Sequence, residues 1–250
     1  MGAGVVMLRE GFEASLIVGI ILAFLDRTGR RGSFWPVWVG TFAAVALSVG
    51  AAGLLFAVGA ELEGSAEAVF EGVTMLLAAA LLTWMIFWMR RQARSIKKDL
   101  ETQVESALAS GSALALGLVA FVGVLREGVE TSLFLFGTVE SSNGAVAAIS
   151  ATVGLAVAIA LGYAFYRGAS RLDLRRFFTV TSALLLVFAG YLFASGLHEL
   201  ADGGVLPEND LLLLGGFFAV AVPTLLLFFR GTRAAAGRRA AEPPQPRGGP

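Results

Sequence analysis

Apolar residues run through this chain in blocks of roughly 20, the length a helix needs to cross about 30 Å of hydrocarbon. The blocks fall at about 4–25, 35–59, 70–89, 112–138, 144–166, 177–198 and 211–229. Continuous apolar character at this length argues against buried strands and predicts seven transmembrane helices. Glycine interruptions, 31 in all, are normal in spans packed against one another. Composition agrees: 56% hydrophobic side chains, 15% charged ones and a mean hydropathy of +0.76 leave too little polar material to coat a soluble globule of 250 residues. The expected fold class is therefore an all-α polytopic membrane protein.

Nineteen Lys and Arg balance 19 Asp and Glu, so net charge points neither to a nucleic-acid partner nor to an acidic solvating protein. Position is more informative. Basic residues follow spans 1, 3, 5 and 7, beginning with Arg27, Arg30 and Arg31 after span 1 and Arg90, Arg91 and Arg94 after span 3. The alternate loops carry only acids: Glu61, Glu63 and Glu67, then Glu140, then Glu199, Asp202, Glu208 and Asp210. The positive-inside rule then predicts a multi-pass protein of the cytoplasmic membrane with its N-terminus outside and its C-terminus cytoplasmic. No Lys or Arg precedes the first span, which holds Arg9, Glu10 and Glu13 in its own body, so it is expected to remain as a span rather than be cleaved. Residues 231–250, rich in Ala, Arg, Pro and Gly, read as a disordered cytoplasmic tail.

Two basic residues escape this sorting, Arg9 and Arg126, and both lie inside spans within a repeated string. Leu8-Arg9-Glu10-Gly11-Phe12-Glu13 matches Leu125-Arg126-Glu127-Gly128-Val129-Glu130, and Ala14-Ser15-Leu16 continues against Thr131-Ser132-Leu133. Three spans separate the copies. An odd repeat unit reverses direction in the membrane, so the chain is expected to hold two inverted three-helix repeats, about 1–100 and about 110–203, plus a C-terminal seventh helix at about 211–229. The whole would form one permease domain over 1–230, with a site at the repeat interface as in many secondary transporters.

Helical rise of about 1.5 Å per residue puts both motifs between mid-membrane and the outer third. Within each, the two carboxylates are three residues apart and project from one helix face, and each Arg lies four residues before the second Glu. Four glutamates, Glu10, Glu13, Glu127 and Glu130, less Arg9 and Arg126 leave a formal charge of −2 where a cation could sit. Intramembrane charges cost at least about 2.5–3.5 kcal/mol each, so six in two matching strings point to function rather than accident. Arg–Glu pairs could instead only clamp spans 1 and 4 together, but a clamp needs no second Glu per helix. Gly11, Ser15 and Gly19 line a different face of span 1, fit for close packing without charge. The chain has no cysteine and one histidine, which excludes thiolate sites, iron–sulfur clusters, bis-His haem and two-His zinc. Oxygen-only ligation suits Mg²⁺, Ca²⁺, Mn²⁺ and iron alike.

The paired Arg-Glu-Gly-x-Glu strings, one in span 1 and one in span 4, resemble the oxidase-dependent iron permease family and its bacterial EfeU-type branch. Phe70-Glu71-Gly72 leading into Leu82-Thr83-Trp84-Met85-Ile86-Phe87-Trp88-Met89, and Gly196-Leu197-His198-Glu199-Leu200, are also similar to that family, so the likeness covers about residues 5–230. The resemblance implies high-affinity iron import, with Glu10, Glu13, Glu127 and Glu130 as iron ligands and Arg9 and Arg126 as their charge partners. Iron would be the substrate, with no permanently bound cofactor, and membrane lipid the surroundings. It further implies an external partner, an oxidase or a periplasmic iron-delivery protein, because the chain has no redox domain.

Glu67, Glu71, His198, Glu199 and Asp202 are expected at the outer face as a cation-concentrating vestibule, unless outer loops are acidic merely because bases were kept inside. Toward the cytoplasm, Ile17, Ile20, Ile21 and Phe24 face a slimmer wall of Ala120 and Gly123, a candidate inner gate. Transport of another divalent cation, Mn²⁺ or Pb²⁺, on the same scaffold is the alternative function. A carboxylate-metal membrane enzyme is the remote one, since both motifs are Glu-x-x-Glu and not the Glu-x-x-His of di-iron oxidases.

Overall fold

The computed structural model describes residues 2–92, 96–140, 144–167, 174–207, 215, 218 and 222–226. Among these the chain is helical, without strands: α1 (Gly2–Arg27), α2 (Phe34–Glu61), α3 (Ser65–Gln92), α4 (Ile96–Ala109), α5 (Ala113–Glu140), α6 (Gly144–Tyr166) and α7 (Leu174–Asp202). Six of these helices match the first six apolar blocks, most ends running two to five residues further and α5 starting one residue later. Of the seventh block only residues 215, 218 and 222–226 are described, all helical, with Leu225 packed on the α3–α7 core. The tail at 231–250, together with Glu208 and Asp210, lies outside the described residues. So do the side chains of Glu140 and of the bases at 90–97 and 171–176.

Four helices, α2 with its preceding turn, α3, α6 and α7, are long and apolar enough to cross a membrane by length and composition. α1 and α5 have the length, at 26 and 28 residues, but carry the motif charges in mid-helix. Burial explains how they tolerate them. α1 is covered on most sides, whereas α2 and α6 turn Phe42, Val49, Leu54, Ile149, Val153 and Ile159 outward. Apolar surface of this extent is lipid-facing surface, since water would not tolerate it.

Small residues decide how the helices pair. α1 runs beside α6, where Gly4 meets Ser150, Gly11 meets Ala158 and Ser15 meets Gly162. Contact positions rise together along both chains, so these helices are parallel. α2 runs parallel to α5 in the same way, through Gly40 against Gly117, Ser48 against Gly128 and Gly59 against Phe136. There the Ser132 hydroxyl also donates to the Ser48 carbonyl at 3.1 Å. α3 and α7 cross antiparallel, with Gly203 at Val69 and Gly72 at Gly196. A Cβ on Gly72 would lie 2.8 Å from the Gly196 oxygen and one on Gly196 2.9 Å from the Gly72 oxygen, closer than any real side chain allows. The Gly11, Ser15, Gly19 face of α1 is thus a packing face, turned toward α6. With these edges engaged, α1 and α5 meet along their remaining faces at the centre.

α4 is a departure from the expected loop. It is amphipathic: Val104 and Ala107 are buried against α1 and α5 while Thr102, Gln103, Glu105 and Ser106 are exposed. Gly111, at φ +66°, closes the turn after it, and the Ser112 hydroxyl accepts the Ala115 N–H at 3.1 Å to start α5.

Candidate metal centre

The two repeated strings stand in the first half of α1 and the middle of α5, and the contact between these helices brings them together. One carboxylate oxygen each from Glu10, Glu127 and Glu130 lies within 4.8 Å of the other two. A hard cation with oxygen ligands at about 2.0–2.6 Å holds opposed oxygens about 4–5 Å apart, so the three could close on one ion with little movement. Among the described residues no other group of three such side chains comes this close.

Glu13 stands outside that trio, although it is buried and one turn below Glu10. Its Oε1 is 3.1 Å from Arg9 Nε, and Arg9 Nη1 is 3.4 Å from Glu10 Oε1. In the second motif Arg126 Nε donates to Glu130 Oε1 at 3.1 Å and is 3.9 Å from Glu127 Oε1. The first contact has ion-pair distance but poor alignment: Arg9 Nε and both Glu13 oxygens complete no hydrogen bond, nor do Glu10 Oε2, Glu127 Oε2 and Glu130 Oε2. A buried anionic oxygen without a partner is costly. Glu10, Glu127 and Glu130 each keep one such oxygen, and their convergence forms a donor set suited to a bound cation.

Identical strings do not give identical surroundings. Arg9 is 1% exposed, the Arg126 side chain 38%. The variable residue of each motif differs in the same direction. Phe12 is buried against Phe177 at 4.6 Å and Phe178 at 5.9 Å between ring centres, while Val129 is exposed.

Two further residues reach the motifs, both from the last described turns of α3. The Arg126 guanidinium lies over the Trp88 ring at 4.5 Å, and Arg9 Nη2 approaches the Met89 sulfur at 3.4 Å. Their signal in the sequence was the family-like stretch at 82–89, which gave neither residue a role.

At the start of α3 and the end of α7 the antiparallel crossing gathers Glu67, Glu71, His198, Glu199 and Asp202 at one end of the molecule. His198 Nε2 is 3.7 Å from Asp202 Oδ2, and both are well exposed. Toward the opposite end, a Cβ on Gly123 would be 3.0 Å from Ile17 Cγ2. Ile21, Phe24 and Ala120 join one apolar cluster there, closed off by Val104, Ala107 and Leu108 of α4.

The chain matches the family described as "Iron permease FTR1 family" over residues 1–206. Among its relatives, the "Ferrous iron permease EfeU" of Escherichia coli O6:K15:H31 is 37% identical across 80% of this chain and 73% of that protein. The protein of the same description in Yersinia pestis is 34% identical across 93% of the chain and 94% of its own length. No solved structure matches.

Proposed function

Starting from the fact that this chain belongs to the iron permease FTR1 family, we propose that it carries ferrous ion inward through a carboxylate site shared by α1 and α5. It is a multi-pass membrane protein and a permease, a transporter rather than an enzyme. The observation that carries the site is the meeting of Glu10, Glu127 and Glu130 within 4.8 Å, with unpartnered oxygens and two arginines beside them. Glu13 completes the four-carboxylate set by neutralising Arg9, which would otherwise repel an arriving cation. The relatives' printed names support Fe²⁺ over Mn²⁺ or Pb²⁺.

The inverted-repeat reading is supported by the pairing of helices. Exchanging α1, α2 and α3 for α5, α6 and α7 turns the α1–α6 contact into the α5–α2 contact and returns α3–α7 and α1–α5 to themselves. In this reading the site lies on the pseudo-two-fold axis. Exposed Arg27, Arg30, Arg31 and Arg167 at one end, with Glu61, Glu63 and Glu67 at the other, support an N-terminus outside and basic loops in the cytoplasm. The cluster of Glu67, Glu71, His198, Glu199 and Asp202 is then an outer vestibule, open to an oxidase or periplasmic iron-delivery partner.

Anaerobic uptake of labelled Fe²⁺ by purified protein in liposomes tests the proposal. Saturable Fe²⁺ accumulation, outlasting an equal concentration of Mn²⁺ as competitor, is the expected result. Accumulation of Mn²⁺ with Fe²⁺ excluded would instead establish the other cation as substrate. The plug of Ile17, Ile21 and Phe24 against Ala120 and Gly123 serves as the inner gate of this path. Phe24→Ala is expected to increase passive leak of Fe²⁺ from loaded liposomes, and unchanged leak together with unchanged uptake would remove the gate.

A further inference from the structure

α3 supplies no carboxylate to the cluster, yet two successive residues near its end each touch one motif arginine. Trp88 offers its ring face to Arg126 at 4.5 Å, and Met89 offers its sulfur to Arg9 at 3.4 Å. Trp84, one turn earlier, stacks on Trp88 with ring centres 5.9 Å apart and planes 21° from parallel, which fixes the Trp88 ring in place. The arginines offset part of the glutamates' charge. A cation that binds the unpartnered carboxylate oxygens weakens the hold of those carboxylates on the guanidiniums, and a guanidinium loosened in an apolar setting needs another partner. An aromatic face attracts a cation, and more strongly as water is excluded. Thioether sulfur is a weak acceptor but a polarisable neighbour.

We infer that Trp88 and Met89 are positioning residues for the iron site: they hold the Arg126 and Arg9 guanidiniums beside the carboxylates and receive their charge when a cation binds. This rests on the carboxylate reading above and adds a determinant of affinity that the two motifs do not contain. Trp88 carries the larger share, because its partner Arg126, the more open of the two, touches the Glu130 carboxylate and the ring at once. Arg9 is enclosed on all sides, so Met89 limits its position more than it stores its charge.

The test is Fe²⁺ affinity measured on purified protein by anaerobic equilibrium dialysis, together with the KM and maximal rate of uptake. Trp88→Leu is expected to weaken Fe²⁺ binding and raise KM about five-fold, from the magnitude of a cation–π contact, with the maximal rate changed far less. Trp88→Phe keeps a ring face and is expected to recover most of the affinity. In an Arg126→Gln background Trp88→Leu is expected to leave Fe²⁺ binding where Arg126→Gln alone put it, because the residue acts through the arginine. An unchanged or lowered dissociation constant for Trp88→Leu overturns the inference, as does an equal loss with and without Arg126 or no recovery with Phe. Binding is read without turnover, so a transport-dead background still reports. Glu127→Gln separates the two levels: if it binds Fe²⁺ as wild type does, the carboxylate site itself is wrong. If it loses binding while Trp88→Leu does not move it, only the role of Trp88 is.

Discussion

Glu127→Gln is expected to reduce Fe²⁺ uptake at least about 10–100-fold at sub-saturating iron, a loss of the size that displacing even an outer-shell partner of a metal ligand produces. The substitution keeps the shape of the side chain but removes a negative charge and turns an NH₂ donor toward a point where Glu10 and Glu130 also converge. Hard cations depend on ligand charge count, and the local sum of four carboxylates against two guanidiniums falls from −2 to −1. Glu10→Gln and Glu130→Gln are expected to behave alike. Glu13→Gln acts differently: Glu13 lies outside the three-oxygen cluster, and its loss frees the charge of Arg9, 3.1 Å away, to pair more tightly with Glu10. Initial uptake rates, scaled to the amount of properly inserted protein, check the series. Near-normal rates for Glu127→Gln and Glu10→Gln would remove the site.

The largest effect on folding is expected from Arg9→Gln. Removing one partner of a buried ion pair costs about 3–5 kcal/mol because the other is left charged and unsolvated, and Arg9 is 1% exposed with Glu10 and Glu13 both beside it. Arg126→Gln removes the equivalent residue of the other motif, but its side chain is 38% exposed, so its pairing is less fully desolvated and its loss is expected to cost less. Thermal unfolding in detergent should therefore separate two arginines that the sequence makes equal, with Arg9→Gln much the less stable. The charge-balanced double variant Arg9→Gln/Glu13→Gln is expected to recover much of the stability while transport stays impaired. Equal unfolding midpoints for the two single arginine variants would contradict this account of the asymmetry.

Much of this was legible in the sequence because membrane insertion imposes length and apolarity on each span. The first six blocks correspond to α1, α2, α3, α5, α6 and α7, and the duplicated strings at 8–13 and 125–130 marked the two helices that meet at the centre. α4 escaped because a 14-residue amphipathic helix is too short and too polar for a search tuned to bilayer thickness; its spacing of Leu100, Val104, Ala107 and Leu108 was the available signal. The unequal burial of Arg9 and Arg126 could not be read from matching strings, since it arises from which other helices cover each motif. Trp88 and Met89 stood in a stretch marked by its likeness to the family, but nothing in the sequence tied them to the motif arginines. Only the approach of α3 to both motifs gives them a role.

X-ray absorption at the iron edge of Fe²⁺-loaded protein tests the central claim most directly. The account predicts one bound iron with a first shell of light scatterers only, carboxylate and water oxygens, lost when Glu10 or Glu127 becomes Gln. A sulfur scatterer in the first shell, or an iron shell unchanged in Glu127→Gln, would contradict it.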